Sequence, residues 1–362
     1  MQLPITFNVT FSIQQALNDI GELVAEAERL PPLPQSWEEP LRHSVVVTSV
    51  RASTAIEGNP LTTEQVSRVL RGQRVAARER DIREVKNYER AVHWVFQYKE
   101  PAITEKAVLR LHYLVTEGIV ESGPPGQYRT EQNSVINRVT GERIFLPPSP
   151  DDVPALMREL VTRLQRDRDA HFAMKAALVH LWLVAVHPFN DGNGRVARLL
   201  SNSLLLRAAP RLGRITALEA YFFDDRERYW QAIARSLGPR FNPTADITPW
   251  VEYFLDALQA RMRSELLQWG KAVSLARALV LLLQDDRDLP PRVVIALVLA
   301  ISTGGLSAGE YRDATGISAR SASNDLAKLV RKGWLVAVGE RRGRRYRASQ
   351  KLSDLYQQQP RS

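Results

Sequence analysis

A mainly α fold is predicted by three observations. Apolar residues recur at helical spacing in one segment after another. Ser, Thr and Gly stand where those segments start and stop. Alternating, strand-like runs are confined to two short stretches. The 362 residues can bury a sizeable core in two or three domains, and the apolar and charged fractions are those of an ordinary soluble protein.

Taken in order, Ser12 to Leu30 spaces Ile13, Leu17, Ile20, Leu23 and Val24 as one helix face, and the prolines at 31, 32 and 34 break it. A second helix runs from Leu41 to Ile56 and stops at Gly58-Asn59-Pro60, where glycine accepts a left-handed cap and proline cannot continue. Thr62 caps the next helix, with Gln65 completing a capping box. Ile82 to Tyr98 and Thr104 to Gly118 are amphipathic helices. Between Gly118 and Pro150 the pattern changes, and Val135 to Phe145 reads as a β-hairpin turning near Val139 to Gly141. Helices resume at Val153 to Arg168, Ala173 to Val186, Val196 to Ala209, Arg226 to Leu237, and from Pro249 past Ser264, extending to Leu283.

Asp285 to Pro291 reads as a boundary. Beyond it come helices at Val293 to Ile301 and Leu306 to Thr315, a turn at Gly316, and a helix capped by Ser318 that runs through Lys332 and ends at Gly333. Trp334 to Val338 and Tyr346 to Ala348 are strands flanking a basic turn, Glu340 to Arg345. This order resembles a winged helix-turn-helix. From Leu289 onward there are thirteen Lys/Arg against five Asp/Glu, a surplus of +8 out of a net charge of +9. The basic character therefore belongs to the C-terminal segment and implies an anionic partner for it. DNA is the partner weighed first, through Arg320, Lys328, Arg331 and Lys332 on the third helix and Arg341, Arg342, Arg344, Arg345 and Arg347 in the wing, with protein docking or dimerisation as the other use of such a module.

No cysteine is present, which excludes disulfides and thiolate metal sites. The N-terminal residues lack a basic cluster before an apolar run, and the longest apolar runs, Leu181 to Val186 and Ala278 to Leu283, are far below membrane-spanning length. The expectation is a soluble cytoplasmic protein.

The chemistry concentrates in His187 to Arg198, the run His-Pro-Phe-Asn-Asp-Gly-Asn-Gly-Arg-Val-Ala-Arg. Pro188 ends the preceding helix and leaves His187 at its rim. Gly192, Asn193 and Gly194 can turn successive N–H groups towards one point, and a helix starting at about Gly194 or Arg195 adds a partial positive charge. Arg195 and Arg198, three apart, fit one face near that end, and their guanidinium forks match phosphate oxygens. Asp191 suits Mg²⁺, which takes few carboxylates and fills its shell with phosphate oxygens and water. A base, a metal ligand, an anion nest and two arginines are the parts of a phosphoryl-type transferase. His180, two turns earlier, reads as a core histidine rather than a second metal ligand. His43, His93, His112 and His171 have no partner spacing and are given no role.

This run resembles the signature of Fic (filamentation induced by cAMP) domain proteins, His-x-Phe-x-Asp/Glu-Gly-Asn-Gly-Arg-x-x-Arg, at all eight fixed positions. The resemblance covers roughly Leu41 to Leu255. It implies a Fic-type helical core and transfer of AMP from ATP to a Ser, Thr or Tyr hydroxyl of a target protein or of the chain itself. His187 would be the base, Asp191 the Mg²⁺ ligand and Phe189 a core anchor. Gly192, Asn193, Gly194, Arg195 and Arg198 would hold the phosphates. Ser53-Thr54-Ala55-Ile56-Glu57-Gly58 fits the family's inhibitory pattern Ser/Thr-x-x-x-Glu-Gly/Asn in its N-terminal class. Glu57 would then pair with Arg198 and displace the γ-phosphate, with Ser53 orienting locally. In some members this glutamate also supports removal of AMP. The hairpin corresponds to the family's flap, which docks a target segment by main-chain pairing, with Val135 and Ile136 in its first strand.

The organisation expected is therefore an N-terminal helical region over 1–100, with the inhibitory helix at about 41–57. A Fic core follows over 101–288, with the flap at about 135–145 and the motif at 187–198, and then a winged helix-turn-helix over 289–362. A homodimer is a further expectation. The alternative function is a DNA-binding transcriptional regulator whose core senses a nucleotide or a partner.

Overall fold

The computed structural model describes residues 2–30, 35–98, 100, 102–119, 123–137, 140–167, 170–339 and 344–359, and the side chains of all of these but 35–41. Its elements, in order, are α1 (Phe11–Arg29), α2 (Gln35–Ile56), α3 (Thr63–Leu70), α4 (Glu79–Gln97), α5 (Glu105–Thr116), β1 (Val135–Ile136), β2 (Arg143–Phe145), α6 (Val153–Arg166), α7 (Phe172–Val186), α8 (Asn193–Ala208), α9 (Pro210–Gly213), α10 (Leu218–Asp224), α11 (Arg226–Leu237), α12 (Thr248–Leu283), α13 (Val293–Ser302), α14 (Ala308–Thr315), α15 (Ala319–Arg331), β3 (Leu335–Val338), β4 (Arg345–Ala348) and α16 (Gln350–Gln357). The mainly helical class stands. The chain divides into two compact units, Met1–Val24 with Val46–Met262, and Ala25–Val45 with Arg263–Ser362. The divisions fall within α1, α2 and α12.

In the first unit α7 is the central helix. Its sequence is apolar on every side, and residues from Ala173 to Val186 are buried all around it. Helices α4, α5, α6 and α8 pack around it or against one another, closing a core that includes Val85, Tyr88, Val108, Leu111, Leu156, Leu183, Phe189, Val196 and Leu200. Each fully buried Leu or Phe in that core contributes roughly 1.5–3 kcal/mol. The Thr62–Gln65 capping box forms at the head of α3, and Thr104 caps α5. The hairpin is short: Val135 pairs with Phe145 and Ile136 with Arg143, antiparallel, with a bulge between. Of the expected turn, Val139 lies outside the described residues, and Gly141 takes the left-handed conformation that glycine tolerates (φ 74°).

In the second unit, α13 supplies an apolar helix against which α14, α15, α16 and β4 pack. A Ser307–Glu310 capping box starts α14 two residues later than expected, Gly316 ends it in the left-handed region, and Ser318 caps α15. Strand β4 begins at Arg345, pairs antiparallel with β3, and bridges Leu306 through Tyr346. Arg341 and Arg342 lie outside the described residues. Helices α9, α10 and α16 were not expected, because their four, seven and eight residues give too short a run to display a period. Helix α12 starts one residue before expectation and ends at Leu283 as expected, and among the described helices it alone reaches the length and composition that crossing a membrane requires.

Candidate functional site

The motif loop is built from the end of α7 and the start of α8. His187 caps α7 in the left-handed conformation (φ 49°, ψ 54°), the one non-glycine residue at positive φ among the described residues. Such a conformation costs about 1–2 kcal/mol outside glycine, so neighbouring contacts must hold it. Gly192 then caps α8 at φ 82°, and a Cβ there would stand 2.9 Å from Thr116 Cγ2. Asn193 closes the loop on itself: its Oδ1 accepts from Phe189 N (3.0 Å) and its Nδ2 donates to Phe189 O (2.8 Å).

Phe189 is fully buried and stacks on His112, with ring centroids 3.7 Å apart and planes 2° from parallel. His112 Nδ1 accepts from Gly126 N (2.9 Å), so its proton sits on Nε2, 3.1 Å from the Asp191 carbonyl. Burial, foremost, lowers its pKa to about 4, which keeps the ring neutral in that tautomer.

Two arginines lie beneath the loop. Arg195, 2 % exposed, donates to Glu84 Oε1 (2.7 Å) and to Asp191 Oδ1 (2.9 Å). Glu84 is held in turn by Asn59, whose Nδ2 donates to Glu84 Oε2 (2.9 Å). Arg198, with no side-chain exposure, donates from Nε to Ser53 Oγ (2.8 Å) and from Nη2 to Ser53 O (3.1 Å) and Glu57 Oε1 (2.8 Å). Burial opposes both cations, yet the facing carboxylates outweigh it and both pKa values are raised. Arg198 Nη1 is buried with no hydrogen-bond partner among the described residues. A Cβ on Gly194 would stand 2.7 Å from Glu57 Oε1 and 3.1 Å from that Nη1, so only glycine leaves the cradle open. An orphaned guanidinium nitrogen facing a glycine-lined helix start fits a phosphate oxygen.

His187 lies at the rim of this cradle. Its Nδ1 is 3.3 Å from the Val184 carbonyl, which can only accept, so Nε2 carries the free lone pair. Burial, foremost, lowers its pKa to about 4, and the neutral ring is a base at neutral pH. The Asp191 carboxylate is one-third exposed. A single such carboxylate fits Mg²⁺, which takes its remaining ligands from phosphate and water; no cluster of three or more metal-ligating side chains occurs among the described residues.

The structure thus brings His187, Asp191, Gly192, Asn193, Gly194, Arg195, Arg198, Ser53 and Glu57 into one site. Two side chains depart from their expected tasks. Asn193 is spent on the Phe189 backbone, and Arg195 faces two carboxylates instead of the cradle, because shared helix spacing says nothing of an acid 111 positions upstream. The helix also starts at Asn193, one or two residues before expectation. Val135 is half-buried and Ile136 is 52 % exposed on the hairpin. His180 is a fully buried core residue, 3.0 Å from the Tyr229 hydroxyl. Unread in the sequence were Glu84, His112 and Arg129, each joining the site singly from a different element, and Asn59, which acts through Glu84; a spacing pattern could not reveal them.

A helical domain closed around a glycine-lined loop, with two buried arginines beneath it, is what the fold and the site define. More particularly, residues 102–205 match the sequence profile of the Fic/DOC family. The chain is 29% identical over 243 residues to the protein adenylyltransferase Fic of Drosophila virilis, covering 65% of this chain and 45% of that one. It is 28% identical to the protein of the same name from Drosophila melanogaster over 248 residues, 67% and 46% of the two chains. It therefore spans less than half the length of these curated relatives. The crystal structure of a Fic family protein from Desulfovibrio desulfuricans G20 is similar over 97% of this chain and 99% of that one, with a TM-score of 0.63 and 28% identity. A Fic domain containing signaling protein from Bacteroides thetaiotaomicron is similar over 68% and 94%, with a TM-score of 0.57 and 26% identity.

Proposed function

We propose that the chain is a self-inhibited protein adenylyltransferase, moving AMP from ATP to a Ser, Thr or Tyr hydroxyl of a target protein or of itself. The observation that carries this reading is the grip on Arg198: Glu57 holds Nη2 at 2.8 Å while Nη1 remains unbonded beside Gly194. One guanidinium is thus divided between a carboxylate and an open anion cradle. A γ-phosphate competes with Glu57 for it, since both are bidentate oxygen acceptors. The names of the relatives support the reaction class.

In this reaction the target hydroxyl attacks the α-phosphorus. A P–O bond to the target forms, the bond to pyrophosphate breaks, and the hydroxyl proton passes to His187 Nε2. The N–H groups at the start of α8 and Arg198 bind the phosphates and offset developing charge. Mg²⁺, held by Asp191, would neutralise phosphate charge. Arg195 orients Asp191, and Glu84 anchors Arg195. The β1–β2 hairpin, with Ile136 and Ile144 exposed, is suited to pairing with an extended target segment.

Incubation with α-labelled ATP and Mg²⁺ tests the reading. Glu57→Gly should take up or transfer more label than the wild type, and adding His187→Ala should abolish it. Label independent of His187, or none in either protein, overturns the assignment.

A DNA-binding role for the second unit rests on a separate observation. The outward side of α15 exposes Arg320, Ser323, Asn324 and Arg331, while its one acid, Asp325, is buried against Arg292 and Tyr311. Lys328 and Lys332 are instead engaged by the 286–288 turn. A duplex-DNA gel shift that weakens with salt and with Arg320→Ala/Arg331→Ala supports this role, and no shift at low salt removes it.

A further inference from the structure

Arg129 lies on the segment between α5 and β1, is 4 % exposed, and faces no carboxylate among the described residues. Its guanidinium is spent on main-chain carbonyls from three separate places. Nε donates to His187 O (2.9 Å), Nη1 to Glu131 O (3.1 Å) and Nη2 to Pro148 O (2.6 Å). Its own N–H donates to Pro188 O (2.9 Å). Glu131 leads into β1 and Pro148 follows β2, so both legs of the hairpin meet at this one side chain. The third carbonyl belongs to the residue held at positive φ. Burial lowers the Arg129 pKa with no anion to offset it, which is an expensive way to tie three loops together. A simple structural tie would be met by an asparagine or a water at lower cost. Only the planar guanidinium fork offers donors in three fixed directions at once.

We propose that Arg129 is a positioning residue: it locks both legs of the β1–β2 hairpin to the backbone of His187, so that a polypeptide segment seated on the hairpin meets the base at a fixed distance. This rests on the transferase reading above. The hairpin and the base lie more than forty positions apart in sequence and share no secondary-structure element. Arg129 bonds both legs and the backbone of the base itself, while Asn133 adds one bond from the first leg, its Nδ2 donating to Phe189 O (3.0 Å). It touches neither Arg198, Asp191 nor the α8 start, so its loss leaves nucleotide binding in place.

The test uses the full chain in the Glu57→Gly background, with Arg129→Lys and Arg129→Met. Lysine keeps the charge but not the fork. Both variants should lower the kcat of label transfer by about 10- to 100-fold, with the KM for ATP within about twofold, since misplacing reacting groups by about 1 Å is worth that much. Rates within twofold of the parent, or a KM for ATP that rises in step with the fall in kcat, would overturn the proposal. If Glu57→Gly itself transfers no label, the functional reading fails, and hydrogen exchange then decides the positioning claim alone. Arg129→Met in the otherwise unaltered chain should speed amide exchange over 129–137 and 140–148 and at His187, and leave α7 and α8 protected. Unchanged exchange there, or a uniform increase over the whole unit, would overturn it.

Discussion

Replacing Glu84 by glutamine takes one of two carboxylates from Arg195. The guanidinium is 2 % exposed and the Glu84 side chain 15 %, with 2.7 Å between Nη1 and Oε1, so solvent screens the pair little. Removing a partner outright from a buried ion pair costs about 3–5 kcal/mol. Here Asp191 remains at 2.9 Å and the glutamine oxygen still accepts, so the loss falls in the range of one charge-assisted hydrogen bond, about 1.5–3 kcal/mol. The glutamine NH₂ must also face either Arg195 or Asn59 Nδ2, both of which are donors, so one existing bond is forfeited. Unfolding in denaturant should show that loss as a lower midpoint at unchanged slope. Asp191 is then the one carboxylate left to Arg195, and the Mg²⁺ concentration for half-maximal label transfer in the Glu57→Gly background should rise about tenfold, equivalent to about 1.4 kcal/mol. An unchanged denaturant midpoint together with an unchanged Mg²⁺ requirement would refute the chain from Glu84 through Arg195 to Asp191.

Other consequences follow from the same geometry. His187 is neutral until the pH falls to about 4, so the acid limb of the rate profile should lie near pH 4 and not near 6.5; a limb at 6.5 would mean that burial does not tune the base. His112 and His187 are both lowered to about 4, so between pH 6.5 and 4 the unfolded chain takes up protons that the folded chain refuses. Their contribution to stability is complete above about 6.5 and is lost as the pH falls through that window, which denaturant midpoints across pH will check. Gly192→Ala forces a Cβ to 2.9 Å from Thr116 Cγ2 at φ 82°, and should lower stability by about 1–3 kcal/mol and depress label transfer; a variant as stable and active as its parent would contradict the tight fit of the loop.

Much of this is legible in the sequence alone. The motif is contiguous, so its glycines, its acid and its helix start are readable from local rules, and the limits of the expected helices lie close to those found, except that α2 starts at Gln35 and not at Leu41. Glu57 was legible only because a family pattern pointed to it: alone it is a helix-end charge. Glu84, His112 and Arg129 were opaque for a physical reason. Each is a single polar residue on or beside an ordinary amphipathic helix, and its meaning comes from a partner 111, 79 or 58 positions away. Arg195 shows the converse limit. Spacing placed it correctly on the face of α8 near Arg198, but which charge it answers to depends on what α4 brings against it.

The central claim is that Glu57 and a triphosphate compete for Arg198. Calorimetry with ATP and with AMP, on the wild type and on Glu57→Gly, tests it most directly. The carboxylate contributes one charge-assisted bond, about 1.5–3 kcal/mol, so ATP affinity should rise about 10- to 150-fold on its removal, while AMP, which has no γ-phosphate, should bind both proteins alike. Equal ATP affinity in the two proteins would contradict the account.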